Sequence, residues 1–164
     1  MRLVKIEVPG EKVRICEKIL RALPLWFGIE SAILDYLKEV QSMETWVAVE
    51  TLELGFISLK KHNQQTAEIY VMGVLPEFHG QRVGTELMRA AEESLYKQGF
   101  KFLTVKTLSE SRADVNYEKT RKFYLRSGFT PLEEFKNLWG IDNPCLLMVK
   151  PVSAQHRENS VERK

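Results

Sequence analysis

The segment from Val74 to Thr85 constrains this chain more than any other. It reads Val-Leu-Pro-Glu-Phe-His-Gly-Gln-Arg-Val-Gly-Thr. Before it, Ala67 to Leu75 has the apolar alternation of a strand; after it, Leu87, Met88, Ala91 and Leu95 recur at helical spacing. Pro76 closes the strand and a Gly-containing loop leads into the helix. Such a junction points unpaired backbone N–H groups at one spot, where the helix dipole also favours an anion. Gly80 and Gly84 let a phosphate approach the backbone closely. The segment is neither a Walker A loop nor a Gly-x-Gly-x-x-Gly fingerprint. Read without further context, it is equally a plain strand-to-helix turn.

The remaining elements are arranged around this junction. Leu3 to Val8 alternates as a strand, and Pro9-Gly10 reads as a turn. Val13, Ile15, Cys16, Ile19, Leu20 and Leu23 predict a helix that Pro24 stops. Leu25-Trp26-Phe27-Gly28 is an aromatic linker, and Ile29, Ile33, Leu37 and Val40 mark a second helix. Thr45 to Val49, Leu54 to Lys60 and Ala67 to Leu75 predict three antiparallel strands joined by short connections. Phe100 to Leu108 is a further strand and Tyr117 to Ser127 a helix, with Gly99 and Gly128 placed as C′ residues of the two preceding helices. Phe129 to Glu134 and Cys145 to Val149 close the pattern around a loop carrying Trp139-Gly140. The order predicts an α/β (α+β) domain over residues 1–151, a mixed sheet with helices on its faces. Ser153 to Lys164 has only Ala154 and Val161 as hydrophobic residues, so 152–164 is expected to be a polar tail, frayed or a surface helix.

Composition narrows the class. The chain has 164 residues, 44% of them hydrophobic and 28% charged, which suits one globular domain. A net charge of +2 gives no electrostatic case for nucleic-acid binding. Cys16 and Cys145 have no metal spacing, so neither a metal nor a disulfide framework is expected. The longest uncharged apolar stretch, Ala22 to Ile29, is broken by Pro24 and Gly28 and is far too short to span a membrane. The expectation is a cytoplasmic protein, monomer or homodimer.

Two motifs carry a family resemblance. His79-Gly80-Gln81-Arg82-Val83-Gly84 resembles the acyl-CoA loop of GNAT-superfamily (GCN5-related) N-acetyltransferases, Gln/Arg-x-x-Gly-x-Gly/Ala. His79 stands for Gln/Arg and Arg82 for the first glycine; only Gly84 matches strictly. Tyr117 to Phe129 resembles the superfamily's Asn-x-x-Ala-x-x-Phe-Tyr-x-x-x-Gly-Phe block, with Phe123-Tyr124 and Gly128-Phe129 matching outright. Tyr117 replaces Asn and Thr120 replaces Ala. The resemblance covers roughly residues 1 to 150. It implies a mostly antiparallel sheet of about six or seven strands with a splayed parallel pair, and acetyl-CoA as co-substrate.

Site residues follow from the same resemblance. The backbone of Met72, Gly73 and Val74 would hold the pantetheine and thioester carbonyl, and residues His79 to Thr85 the pyrophosphate. Gly73 suits a bulge; a packing glycine is the alternative. Tyr124 is implied as the general acid toward the CoA thiolate, and a core aromatic otherwise. Tyr117 would lie against the pantetheine or in the core. Glu68 is implied as the base, with Tyr36, Glu30 and Glu44 as alternatives and a surface charge as the plain reading. Trp26 and Phe27 would wall the acceptor or cap the core; Trp139 and His62 carry no independent signal. Lys119, Arg121, Lys122 and Arg126 form a solvated helix face from which some reach the CoA phosphates. Neither cysteine has a visible His partner, so direct transfer to a primary amine of a small molecule or peptide is expected. A non-catalytic acyl-CoA-binding or regulatory module on the same fold is the alternative.

Overall fold

A computed structural model describes residues 1–154. Its elements are β1 (Arg2–Ile6), α1 (Pro9–Arg21), α2 (Glu30–Glu39), β2 (Glu44–Val49), β3 (Glu53–Lys61), β4 (Thr66–Val74), α3 (Val83–Lys97), β5 (Phe102–Leu108), α4 (Val115–Arg126), β6 (Thr130–Phe135) and β7 (Cys145–Pro151). The seven strands form one sheet in the order β1-β2-β3-β4-β5-β7-β6. Every pairing is antiparallel except that of β4 with β5. The mixed sheet with one parallel pair is the predicted architecture. The crossover helix α3 between β4 and β5 makes the parallel pairing possible.

The core has two halves. Leu87, Met88, Ala91 and Leu95 of α3 pack with Ile57, Leu59, Leu103 and Met148 of the sheet, joined by Tyr124 and Phe129. Ile15, Cys16, Ile19 and Leu20 of α1 and Ile33 and Leu37 of α2 pack with Val47, Phe56 and Val71. Gly99 and Gly128 adopt φ of 85° and 93°, as expected of C′ residues that end α3 and α4.

Two local expectations are corrected. Pro9-Gly10 is not a turn: Pro9 starts α1, where its missing N–H costs nothing and its φ is already helical, and Val8 is the N-cap rather than the strand's end. Gly73 is not at a bulge. It pairs regularly with Phe56, and a Cβ there would stand 2.9 Å from Leu23 and 3.1 Å from Ile19, so it is the packing glycine that admits α1. The bulge of β4 falls at Tyr70, between the pairs Leu59–Ile69 and Ser58–Val71. Most of the expected tail, residues 155–164, lies outside the described residues; Val152 packs on the α3 side of the core and its N–H donates to the Lys101 carbonyl at 2.9 Å.

Candidate active site

The parallel pairing of β4 and β5 is short. It joins Thr66–Ile69 to Phe102–Val105 and stops there, while β4 continues on β3 and β5 on β7. The Tyr70 bulge bends β4 where the pairing ends. A cleft of about 1200 Å³ fills the gap, and Met72, Gly73, Val74, the loop before α3, Tyr124 and Glu68 all line it.

At one end of the cleft stands the N-terminus of α3. Its N-cap, Arg82, has a left-handed backbone with φ 66° and gives no side-chain cap, so the first N–H groups of the helix have no side-chain acceptor from it. Val83, Gly84 and Thr85 line the cleft, as do His79, Gly80 and Arg82. Gly80 is also left-handed, with φ 74°. Gln81 differs from its neighbours: its amide donates back to the Glu77 carbonyl at 2.8 Å and stays out of the lining. His79 Nε2 lies 2.7 Å from the Val74 carbonyl oxygen, and its ring meets Trp26 edge-on at 5.6 Å. A Cβ on Gly84 would stand 3.3 Å from the Phe123 ring, so this position brings α3 and α4 together.

α4 begins at Val115, two residues before the expected start, because Asp114 caps it by accepting the N–H groups of Asn116 and Tyr117. Tyr124 is 6% exposed and packs on Phe123 and Phe129, yet it reaches the cleft. Burial, with the nearby Tyr117 and Tyr36, pushes its phenol above the ordinary value of 10. Burial likewise raises Tyr117 to about 12, and its hydroxyl donates to the Trp26 carbonyl at 2.8 Å. The Trp26 indole N–H donates to Thr120 at 3.1 Å. Trp26 therefore straps the α1–α2 linker to α4. Phe27 does something else, meeting Tyr36 edge-on at 5.8 Å, and Tyr36 in turn meets Tyr70 at 5.4 Å.

Glu68 is 5% exposed and is not a lone carboxylate. Lys106 donates to Oε2 at 2.8 Å, and His62 Nε2 lies 3.0 Å from Oε1. Of the alternative bases, Glu30 pairs with Arg21 at the surface, and Glu44 accepts from Ser94, Trp46 and Gln98; neither lines the cleft. Tyr36 does line it, raised in pKa by burial and by Glu68.

Two residues escaped the sequence reading. Lys106 looks like any charge on an alternating strand, and only the register with β4 brings it to Glu68. Thr107 lines the cleft with a buried hydroxyl that has no hydrogen-bond partner among the described residues, a cost of the kind usually met by a ligand or water. Burial raises the Cys16 thiol to about 12 and Cys145 to about 11.

The acetyltransferase (GNAT) domain family matches residues 41–131, a span from the start of β2 through the loop, α3, β5 and α4. The chain belongs to the GNAT acetyltransferase family. No curated protein matches this GNAT chain in sequence. Among solved structures, aminoglycoside 6′-acetyltransferase type Ii is similar with a TM-score of 0.75 at 20% identity, over 95% of this chain and 100% of that one. Ard1 from Thermoplasma volcanium gives a TM-score of 0.72 at 19% identity, over 93% and 98%. A GNAT family acetyltransferase from Elizabethkingia anophelis, solved with acetyl-CoA bound, gives 0.63 at 20% identity, over 79% and 87%. At these identities the likeness is one of fold. Among the described residues of this GNAT domain, no helix is long and apolar enough to cross a membrane.

Proposed function

We propose that this GNAT domain transfers an acetyl group from acetyl-CoA to a primary amine by direct attack in a ternary complex. One observation carries the reading: the β4–β5 pair parts after Ile69 and Val105, which leaves a strand backbone, a helix N-terminus and a buried tyrosine lining one cleft. The structure solved with acetyl-CoA supports the co-substrate, as the aminoglycoside enzyme supports an amine acceptor.

In this reading the pantetheine lies along Met72, Gly73 and Val74 as an added strand, with the pyrophosphate at Gly80 to Thr85. Arg82 adds charge there, and its left-handed backbone turns the first helical N–H groups toward the anion. Tyr117 and the orphaned Thr107 hydroxyl flank the arm. Trp26 and Phe27 wall the acceptor. The amine nitrogen attacks the thioester carbonyl carbon; the C–N bond forms as the C–S bond breaks. Glu68 takes the amine proton, directly or through water. Each carboxylate oxygen keeps a lone pair beyond its bond to His62 or Lys106. The Tyr124 hydroxyl gives its proton to the departing thiolate. The raised thiols of Cys16 and Cys145 are poor nucleophiles at neutral pH, which supports direct transfer over an acetyl-cysteine step.

The test is thiol release from acetyl-CoA across a panel of primary amines, beside calorimetric binding of acetyl-CoA. Turnover with loss in Glu68→Gln, greatest at low pH where free amine is scarce, is the expected result. Binding without turnover of any amine would assign the chain to a non-catalytic acyl-CoA module.

A further inference from the structure

We infer that the acceptor is a monoamine with an apolar body and no second cationic group. The inference rests on the acetyl-transfer reading and concerns the mouth of the cleft at the C-terminal ends of β4 and β5. There the α1–α2 linker flanks the gap from the β3–β4 side, and the β6–β7 loop flanks it from beyond β5. Both banks present apolar side chains to solvent. Leu25 and Ile29 are 65% and 61% exposed and line the cleft. Opposite, Trp139 lines it at 42% exposure, with Ile141 on the same loop at 83%. Arg112 pins that loop to the rim by donating to the Asp142 carbonyl and to Asn143. Exposed apolar side chains gathered on both sides of a cleft are a docking surface for apolar matter.

The charges exclude the opposite acceptor. An ammonium that leaves water needs a carboxylate to receive it. Three carboxylates line the cleft, Asp35, Glu68 and Asp114, against six Lys and Arg side chains. Glu68 is already held by Lys106, and Asp114 caps α4 through Oδ1. Asp35 and the second oxygen of Asp114 are left for a further ammonium, with Lys60 and Arg112 lining the same cleft. A polyamine or an aminoglycoside would bring several ammonium groups to a cleft that offers them few uncommitted carboxylate oxygens beside Lys60, Lys106 and Arg112. An amine with a ring or branched chain instead places its body between Trp139 and Leu25 and its nitrogen toward Glu68.

The experiment compares 2-phenylethylamine, propylamine, spermidine and kanamycin as acceptors for the full chain. The aromatic monoamine should exceed both polycations in kcat/KM by roughly tenfold or more. Trp139→Ala should lower kcat/KM for 2-phenylethylamine by about tenfold, change it less than about twofold for propylamine, and leave acetyl-CoA binding unaltered. Trp139 is a rim residue, and the melting temperature of the variant checks that the fold is intact. Preference for spermidine or kanamycin, or an equal fall for both monoamines in Trp139→Ala, overturns the acceptor class alone. Acetyl-CoA binding with no amine turned over removes the acetyl-transfer reading and the acceptor class together.

Discussion

His79 donates from Nε2 to the Val74 carbonyl oxygen at 2.7 Å. The bond fixes the tautomer, because a carbonyl only accepts, and it folds the loop back onto the end of β4. It forms in the part of β4 that has lost β5 as a neighbour. The imidazole therefore ties the end of the strand, open on its β5 side, to the loop at the N-terminus of α3, and its ring holds Trp26 edge-on.

His79→Ala should destabilise the fold by about 1 kcal/mol, the net worth of one hydrogen bond. His79→Gln, which restores the residue type of the GNAT loop pattern and keeps an N–H donor, should recover most of that loss. Chemical denaturation of the three proteins checks the order. Equal stability of His79→Ala and wild type would show that the bond contributes nothing.

Arg82 is the only described non-glycine residue at positive φ. An L side chain in that conformation carries a penalty of roughly 1 kcal/mol that glycine avoids, offset in part by glycine's freer unfolded chain. Arg82→Gly should therefore raise stability by up to about 1 kcal/mol, whereas Arg82→Ala should not. If the guanidinium serves the phosphates, the same glycine variant binds acetyl-CoA more weakly. Melting temperature and calorimetry on one pair of variants separate backbone from charge.

The predicted positions that came through are those whose signal is local. Gly99 and Gly128 sit where a helix must end, and Pro24 stops α1 within three residues of its last turn. Pro9-Gly10 misled because the same dipeptide serves a turn or a helix start, and only Val8 as N-cap decides. The bulge was assigned to Gly73 on residue type, but bulge position is set by cross-strand register, which pairs Ser58 with Val71 and skips Tyr70. Contacts between elements were not legible. Trp26 and Thr120 are 94 residues apart, and nothing in either segment names the other. Lys106 on Glu68 is of the same kind.

Tyr124→Phe should lower kcat by about 10²-fold with little change in acetyl-CoA affinity, since it removes a proton donor and keeps the ring. Burial holds the phenol above its ordinary value of 10, so the hydroxyl keeps its proton throughout the working range. The wild-type rate should accordingly show no fall on the alkaline side between about pH 7 and pH 10. An unaltered kcat in the variant assigns Tyr124 to packing.

Glu44 ties β2 to α3. Burial pushes its pKa up, but hydrogen bonds from Ser94, Trp46, Gln98 and Lys61 outweigh that and hold it at about 2, against 4.5 for a free carboxyl. As pH falls below 4.5 the unfolded chain takes up the proton before the folded one does. The stabilisation is therefore complete above that range and is lost as pH falls through it toward 2. Glu44→Gln should be less stable than wild type at pH 7, and the gap should narrow steadily between pH 5 and pH 2. Melting curves at fixed ionic strength measure it, and a gap independent of pH would remove Glu44 from acid sensitivity.

Trp26 serves both halves of the cleft, and its variants should show it. Its indole N–H bonds Thr120, its carbonyl receives the Tyr117 hydroxyl, and its ring lies against His79. Trp26→Phe removes the first of these and keeps a ring for the third. With the linker loosened from α4, KM should rise for the acceptor and for acetyl-CoA alike, because the strap adjoins the loop proposed for the pyrophosphate as well as the proposed acceptor wall. The kcat should change little, since Tyr124 is held by the core around Phe129 rather than by the strap. A double-mutant cycle isolates the bond. Trp26→Phe and Thr120→Val should each cost stability, while the pair costs about 1 kcal/mol less than their sum, since either change alone already breaks the contact. Additive costs would mean that the indole and the hydroxyl do not meet in solution, and a rise in acceptor KM alone would return Trp26 to the acceptor wall.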